Sequence, residues 1–594
     1  MSVLPKWLYF ISFGIILYTA LFFYPRWEQT RTEATIGWDV SGYYMYLPTF
    51  FIYKDAKKMS FRDSIIQKYY PTPDFHQAYI HPPSGNFVFK YSAGQAIAMF
   101  PWFWIGHLYA KISENYLADG FSYPYQISIG IGMLFWGLLG LFFLRKILKV
   151  YYDEWTTVLA LFLLITGSNL LNYIAIDQAM THSTLFTIYT LIIWNTIRFY
   201  QSVNTKRIIW LGLLCGWAAL IRPTDLIAVL IPLLWGINSY EDIKARLQLL
   251  KVHLPKLIVF MVCVALVGLI QPVYWKWATG EWIIYSYQDQ GFSWLHPHVK
   301  NFTFSYKSGW LRYSPLLILS FIGIFPFIRQ NKNILPVLVL MGLSFYIVTA
   351  WDQWDYGSTG GRAMVQYYPL FVFPMAALLE AVRKNKFFSS VFFVVSVIFV
   401  YVNIWWVYNA HTGKVQVLNL TKEYYWKKIG RWSSAESDTK LLFNNYSYEG
   451  ILKNEKVIYE NKFENDTTAN RVSVEGNGKI LLNKDLQYSG IYTIKNPGGP
   501  QNRVRVYSVF SCEEKEWTDW KQAQFIIKFY RGETEVQSNL IRIYHFLENS
   551  ETRELFLDAK CPAVWSHLSV LYWNAEGDKQ LRIDDLKVVL FSEE

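Results

Sequence analysis

The rhythm of apolar and polar positions changes once along this chain, near residue 410. Before that point, apolar residues run on with only short polar breaks. A bilayer-spanning helix needs about 20 predominantly apolar residues. Runs approaching that length fall at 7–24, 93–111, 124–144, 155–175, 182–199, 207–221, 225–237, 254–275, 312–328, 334–350, 364–382 and 388–408. The run at 225–237 is short for a crossing. The run at 7–24 lacks a small-residue cleavage site and reads as a retained first helix. Beyond 450 the pattern becomes period-2. KVIYENKFEN, RVSVEGN, GIYTIKN, RVRVYSVF, AQFIIKFY, NLIRIYHF, ELFLDA, HLSVLYW and LRIDDLKVVLF follow one another, separated by Gly, Asn and Asp. Many short strands at such intervals predict a β-sandwich or jelly roll. The expected fold is a mainly α polytopic bundle of about 11–13 spans over 1–410, a linker over 411–450 rich in Lys, Trp and Ser, and an all-β domain over 451–594.

Composition sharpens this division. Hydrophobic residues make up 53% of the chain, aromatic residues 19% and charged residues 17%, against roughly a quarter charged in soluble domains. The formal charge of +11 does not indicate nucleic acid, because much of it lies in short clusters between apolar runs, where the positive-inside rule places it. Arg145, Lys146 and Lys149; Lys206 and Arg207; Lys244, Arg246, Lys251 and Lys256; Arg329 and Lys332; and Arg383, Lys384 and Lys386 mark one side as cytoplasmic. The loops near 177 and 223, those at 276–311 and 351–363, and the tail after 408 then face outward. Counting spans from the N-terminus conflicts with this assignment at 112–123, so 93–111 is expected to lie at the interface or to re-enter. Cys215 and Cys263 fall in apolar runs and read as packing residues. Cys512 and Cys561 share the polar tail, where an oxidising compartment would allow pairing.

The outward loops carry the chemistry. Asp39, in GWDVSGYYMYLP, stands just past the first span, where an ionisable group by default indicates function. The long first loop, 25–92, places Tyr43, Tyr44, Tyr46, Leu47, Phe50, Phe51 and Tyr53 near helical spacing, as either an interfacial segment or core packing. It continues through HPPSGNFVFKYSAG with His81 and Lys90. Later loops bring Asp177 and His182 in IDQAMTHS, and Arg222 and Asp225 in IRPTD. QDQGFSWLHPH carries Asp289, His296 and His298, and WDQWDYGSTGGR carries Asp352, Asp355 and Arg362. A simple anchor has no need of acids, imidazoles and arginines on one face. An acid near the bilayer surface can take a proton from an acceptor hydroxyl, while cations stabilise charge on a departing lipid phosphate. Arginine suits phosphate through its bidentate fork.

Over roughly residues 5–410 these motifs, in this order, resemble those of the GT-C glycosyltransferases, among them the aminoarabinose and protein-mannosyl transferases. The elements are Asp39, His81 to Gly94, Asp177, the RPT turn at Arg222, and the WDQWDYGSTGGR loop before a helix ending LLEAV. The resemblance implies an inverting transfer from a polyprenyl-phosphate-linked sugar to a glycan, lipid or protein acceptor, within a bacterial cytoplasmic membrane and on its outer side. It implies Asp39 as general base, Asp177 as an acid orienting acceptor or donor, and Lys90 on the lipid phosphate. Arg222 and Arg362 are further phosphate candidates, with alternative roles capping a helix end and pairing with Asp355 respectively. His81, His182, Tyr43 and Asp355 complete the candidate substrate-binding set. Val40 follows Asp39 where many members have a second acid, which leaves a divalent metal open, and His182, His296 and His298 are the imidazoles that would serve one. KFEN and LRIDDLKVVLF resemble the outer strands of carbohydrate-binding jelly rolls. Trp517, Trp520 and Trp573 are the aromatics a sugar would meet, and a scaffold packed on the bundle is the alternative. A lipid-diphosphate-glycan ligase or polymerase, or a non-enzymatic glycan-binding scaffold or transporter, is the competing functional class.

Overall fold

The computed structural model describes residues 3–72, 77–288, 290–330, 333–355, 360–415, 417, 420–433, 438, 441–442, 448, 450–464, 473–475, 478–516, 521–547, 549–575 and 577–592. The chain divides into two compact units, Met1–Leu418 and Asn419–Glu594.

The first unit is helical. Lys6–Glu28, Tyr123–Tyr151, Leu254–Thr279, Arg362–Val382 and Lys386–His411 are long and apolar enough to cross a bilayer, the pattern of a multi-pass membrane protein. Gly94–Ile112 is a single continuous helix of 19 residues, about 28 Å at 1.5 Å per residue. It packs on Tyr123–Tyr151, where the Trp136 indole donates to the Ala98 carbonyl at 3.3 Å. The re-entrant shape considered for 93–111 is therefore not what this segment adopts.

Among the runs expected as single helices, 155–175 and 312–328 are broken. The run at 155–175 stops at Thr166 and resumes at Leu170–Ala175. Asn169, in the gap, donates its backbone N–H to Ser314 Oγ at 3.0 Å and its amide to the Gly360 carbonyl at 2.6 Å, and accepts from Tyr368 at 2.6 Å. The run at 312–328 divides into Trp310–Tyr313, Pro315–Leu317, Ile318–Ile322 and Ile324–Gln330. Pro315 has no N–H to continue the ladder. Hydrophobic periodicity does not register breaks whose polar groups are satisfied from distant segments. Between 225 and 237, the tight turn Pro223–Val229 leads into only five residues of α-helix, Leu230–Leu234.

The Tyr-rich part of the first loop divides by burial. Tyr43, Tyr44, Tyr46 and Leu47 are buried in the bundle core, whereas Phe50 and Phe51 are exposed. The first half is thus core packing.

The second unit is a sandwich of two antiparallel sheets, with ten strands among the described residues. One sheet runs Thr552–Lys560, Arg503–Ser511, Leu581–Ser592, Lys479–Leu482, Ser473–Glu475, with Lys453–Asn461 also paired to Leu581–Ser592. The other runs Tyr492–Lys495, His567–Trp573, Gln524–Arg531, Thr534–Arg542. Val504, Val506, Ser508 and Phe510 alternate inward along one strand. Phe510 meets Phe525 and Tyr572 of the facing sheet at ring distances of 5.4 and 5.8 Å. The short strand at Lys479–Leu482 carries no period-2 run long enough to be read from sequence, and NLIRIYHF leaves the sheet after Arg542 for a turn at Ile543–His545.

Cys512 and Cys561 are free thiols. Their neighbours define the ladder: Ser511 pairs with Thr552 and Arg503 with Lys560. The two cysteines therefore cap opposite ends of a nine-residue ladder, roughly 30 Å apart at about 3.4 Å per residue. That separation excludes the disulfide considered from sequence. Trp573 stacks against Tyr488 at 5.6 Å. Trp517, Trp520 and Asp289 lie outside the described residues.

Candidate active site

Asp39 opens a short helix, Asp39–Tyr44, directly after Trp38, whose φ of 49° is a left-handed backbone conformation on a bulky residue. Such strain persists where surrounding contacts over-determine it and clusters at functional sites. Here the Trp38 N–H donates to the Pro71 carbonyl at 2.9 Å and its carbonyl accepts from the Ser41 hydroxyl at 2.7 Å. Gly42 lets this helix approach Tyr91 closely, since a Cβ at that position would stand 2.7 Å from the Tyr91 ring.

That approach serves the carboxylate. The Tyr91 hydroxyl donates to Asp39 Oδ1 at 2.8 Å, and Arg362 Nη2 reaches Oδ2 at 2.8 Å. Arg362 is set by Gly360 and Gly361, both left-handed, at φ 65° and 61°. A Cβ on either would strike Tyr313 or Trp310 within 2.6 Å, so only glycine fits the turn that delivers this arginine. The Lys90 ammonium lies 5.7 Å from the Tyr91 ring centre and 5.6 Å from that of Tyr287. Burial opposes charge on Asp39, but Arg362, the Tyr91 hydrogen bond, Lys90 and Arg222 outweigh it and hold the carboxyl below its usual range. Burial, then the Asp39 charge, push the neighbouring Tyr43 hydroxyl well up and keep it neutral. The structure thus brings Asp39, Tyr43, Lys90, Arg222 and Arg362 into one electrostatic neighbourhood.

Asp177 forms a second acid–cation set. It lies 3.2 Å from Arg26, and the Asn172 amide donates to it at 2.7 Å. His411 Nε2 contacts Asn172 Oδ1 at 2.7 Å. Burial again opposes ionisation, while Arg26, His411, Asn172 and Arg362 lower the carboxyl below its usual value. The Arg362 charge therefore acts on both acids.

His81, Asp355, His182 and His298 make their contacts elsewhere. His81 sits on the hairpin of Ala78–His81 and Asn86–Phe89, with Nδ1 3.0 Å from Ser84 Oγ and Nε2 3.6 Å from Glu281. Asp355 pairs with Lys307 rather than with Arg362. His182 is fully buried, with Nδ1 3.3 Å from Gln366 Oε1. Arg222 directly follows the Thr205–Ile221 helix, and its charge reaches Asp39 and His182. His298 faces Asp352 at 3.9 Å. Among the described residues, no group of three His, Cys, Asp or Glu stands close enough to hold a metal ion.

Tyr91, Arg26, Asn172 and His411 were not singled out from sequence. Tyr91 directly follows Lys90, and Arg26 stands at the mouth of the first span. The rule that flags Asp39, an ionisable or polar group at a span end, extends to Arg26 and His411. Asn172 lies inside an apolar run with no such mark.

Comparison with protein-family models and with curated proteins finds no match. Among solved structures, the crystal structure of the Archaeoglobus fulgidus oligosaccharyltransferase in the apo form is similar, with a TM-score of 0.42 and 12% identity over 76% of this chain and 62% of that chain. The present chain therefore spans less than two thirds of that protein's length.

Proposed function

We propose that this chain is a membrane glycosyltransferase that moves one sugar, a hexose or pentose, from a polyprenyl-phosphate donor to an acceptor on the outer side of a bacterial cytoplasmic membrane, with inversion. The observation that carries this reading is the environment of Asp39. One oxygen is held by Tyr91 and the other by Arg362, with the charges of Lys90 and Arg222 converging on the same carboxylate.

The chemistry follows from that arrangement. Asp39 takes the acceptor hydroxyl proton as the acceptor oxygen attacks the anomeric carbon. The bond from that carbon to the phosphate oxygen breaks, and the lipid phosphate leaves with the electron pair. Arg362, Arg222 and Lys90 supply positive charge where the phosphate gains it. Arg362 donates to Asp39 Oδ2. Transfer of this guanidinium to the donor phosphate exposes that oxygen to the acceptor and removes the main cation that keeps Asp39 weakly basic. Tyr91 holds the carboxylate in place meanwhile. Asp177, fixed by Arg26 and Asn172, orients the acceptor or donor sugar.

The test is Asp39→Asn, assayed for sugar transfer in membranes at equal protein level. A general base contributes about 10²–10⁴-fold, and a loss near the middle of that range is expected. Near-full activity removes Asp39 from the base role. Mass analysis of the released lipid distinguishes a monophosphate, expected here, from the diphosphate that a glycan ligase or polymerase would release.

A further inference from the structure

A second carboxylate of this unit, Asp225, is used by none of the chemistry above, yet its surroundings are more fully built. It is entirely buried. Oδ1 accepts from the Tyr189 and Tyr367 hydroxyls, each at 2.8 Å, and the Gln366 amide donates to both oxygens at 3.1 and 2.9 Å. The donors come from two different segments. Tyr189 lies on the Thr181–Gln201 helix, whereas Gln366 and Tyr367 close the turn Arg362–Tyr367, which Arg362 begins. Asp225 itself stands three residues after Arg222, and its N–H donates to the Arg222 carbonyl at 2.9 Å. A single carboxylate therefore ties together the two segments that present Arg222 and Arg362, although these lie far apart in sequence.

We propose that Asp225 is a positioning residue that fixes Arg222 and Arg362 as a phosphate-binding pair, acting through Tyr189, Gln366 and Tyr367. The proposal rests on the function given above. Two physical points carry it beyond a packing role. First, burying a carboxylate is costly, and replacing buried charged groups by apolar side chains of similar volume is often neutral or stabilising. Stability alone therefore gives no reason for an acid here. Second, the Arg222 charge acts on Asp225, Asp39 and His182 together. When Arg362 moves from Asp39 to a phosphate, the Asp225 bonds to Gln366 and Tyr367 hold the base of the turn from which Arg362 extends. The Gln366 amide is oriented from both ends, donating to Asp225 while its oxygen faces His182 Nδ1.

The experiment uses the full chain in detergent, with farnesyl phosphate as a short polyprenyl monophosphate and farnesol as the same chain without the anion. The ratio of their affinities reads the phosphate contribution alone. Wild type is expected to favour farnesyl phosphate. Asp225→Asn sets an amide donor against the Gln366 donor, and is expected to reduce that preference about tenfold or more, with farnesol affinity unchanged. A variant that melts at lower temperature but keeps the full preference shows a structural role and overturns the proposal. If Asp225→Asn does not fold, Tyr367→Phe, which removes one donor and leaves the carboxylate, decides the question: a reduced preference supports the proposal, and an intact one overturns it. A wild-type chain with no preference for the phosphate removes the arginines from phosphate binding and with them the functional reading itself. That result is distinct from a wild-type preference that survives Asp225→Asn, which defeats the present proposal only.

Discussion

Each unit of the molecule contains a contact between an arginine and an aspartate, and the two contacts are built differently. In the β unit, Arg505 Nε meets Asp558 Oδ1 and Nη2 meets Oδ2, both at 2.7 Å. The Asp558 side chain is 0% exposed and that of Arg505 11%. Further contacts hold the pair: the Tyr448 N–H donates to Asp558 and its carbonyl accepts from Arg505, both at 2.7 Å, while the guanidinium lies 4.1 Å from the Phe556 ring centre. In the helical unit, Arg362 makes one bond of 2.8 Å to Asp39, and the two side chains are 19% and 22% exposed. Here the charges of Lys90 and Arg222 converge on the same acid. The first is a buried two-pronged fork. The second is partly exposed, and further cations act on the same carboxylate. The difference teaches that the supply of competing partners, more than the presence of an ion pair, separates a structural contact from one poised to exchange.

This contrast can be broken from either side. Arg505→Gln leaves Asp558 buried and uncompensated, which is expected to cost about 3–5 kcal/mol. Thermal unfolding should show the loss, while transfer per folded molecule stays at the wild-type level. Arg362→Gln should instead lower kcat/KM for transfer about 100-fold, the size of one lost charge-stabilising donor, with a smaller fall in melting temperature than Arg505→Gln, since the pair is more exposed. If Arg505→Gln abolished transfer in folded protein, or Arg362→Gln unfolded the chain, the distinction would be wrong.

The pH dependence sharpens the same point. Asp39 is lowered in the folded protein, so its contribution to stability is present above the ordinary carboxyl value of about 4 and is lost as pH falls through the lower folded value. As a base it must be ionised, so activity also falls on the acid side. Removing Arg362 leaves burial less opposed and raises the carboxyl. The acid limb of the kcat/KM profile of Arg362→Gln should therefore move to higher pH, and an unmoved limb would place the titrating group elsewhere. The smallest effect is expected from Lys307→Gln, which breaks the partly exposed contact with Asp355. Less than about 1 kcal/mol of stability should be lost, with transfer within about twofold of wild type if Asp355 takes no part in the site.

Part of this arrangement was legible beforehand for a definite reason. Asp39 stood out because an ionisable group beside an apolar span is costly without a function, and Arg362 as an arginine among the polar groups of an outward loop. Their direct contact was not legible: the two lie 323 residues apart, and the natural sequence partner for Arg362 was Asp355, seven positions earlier. Lys307 takes that acid instead. Asp225 was visible as an acid between apolar runs, but Tyr189, Gln366 and Tyr367, which give it a role, are unremarkable in their own segments.

The sequence by itself determined the two regimes of structure, because span length and strand alternation are local consequences of what each side chain does in lipid or water. It also marked the ionisable residues beside apolar runs as candidates. Only the tertiary structure decided where helices break, which cysteines stay apart, and which cation faces which acid. Those outcomes depend on hydrogen bonds and charge contacts between segments distant in the chain, and such pairings leave no periodic trace along it.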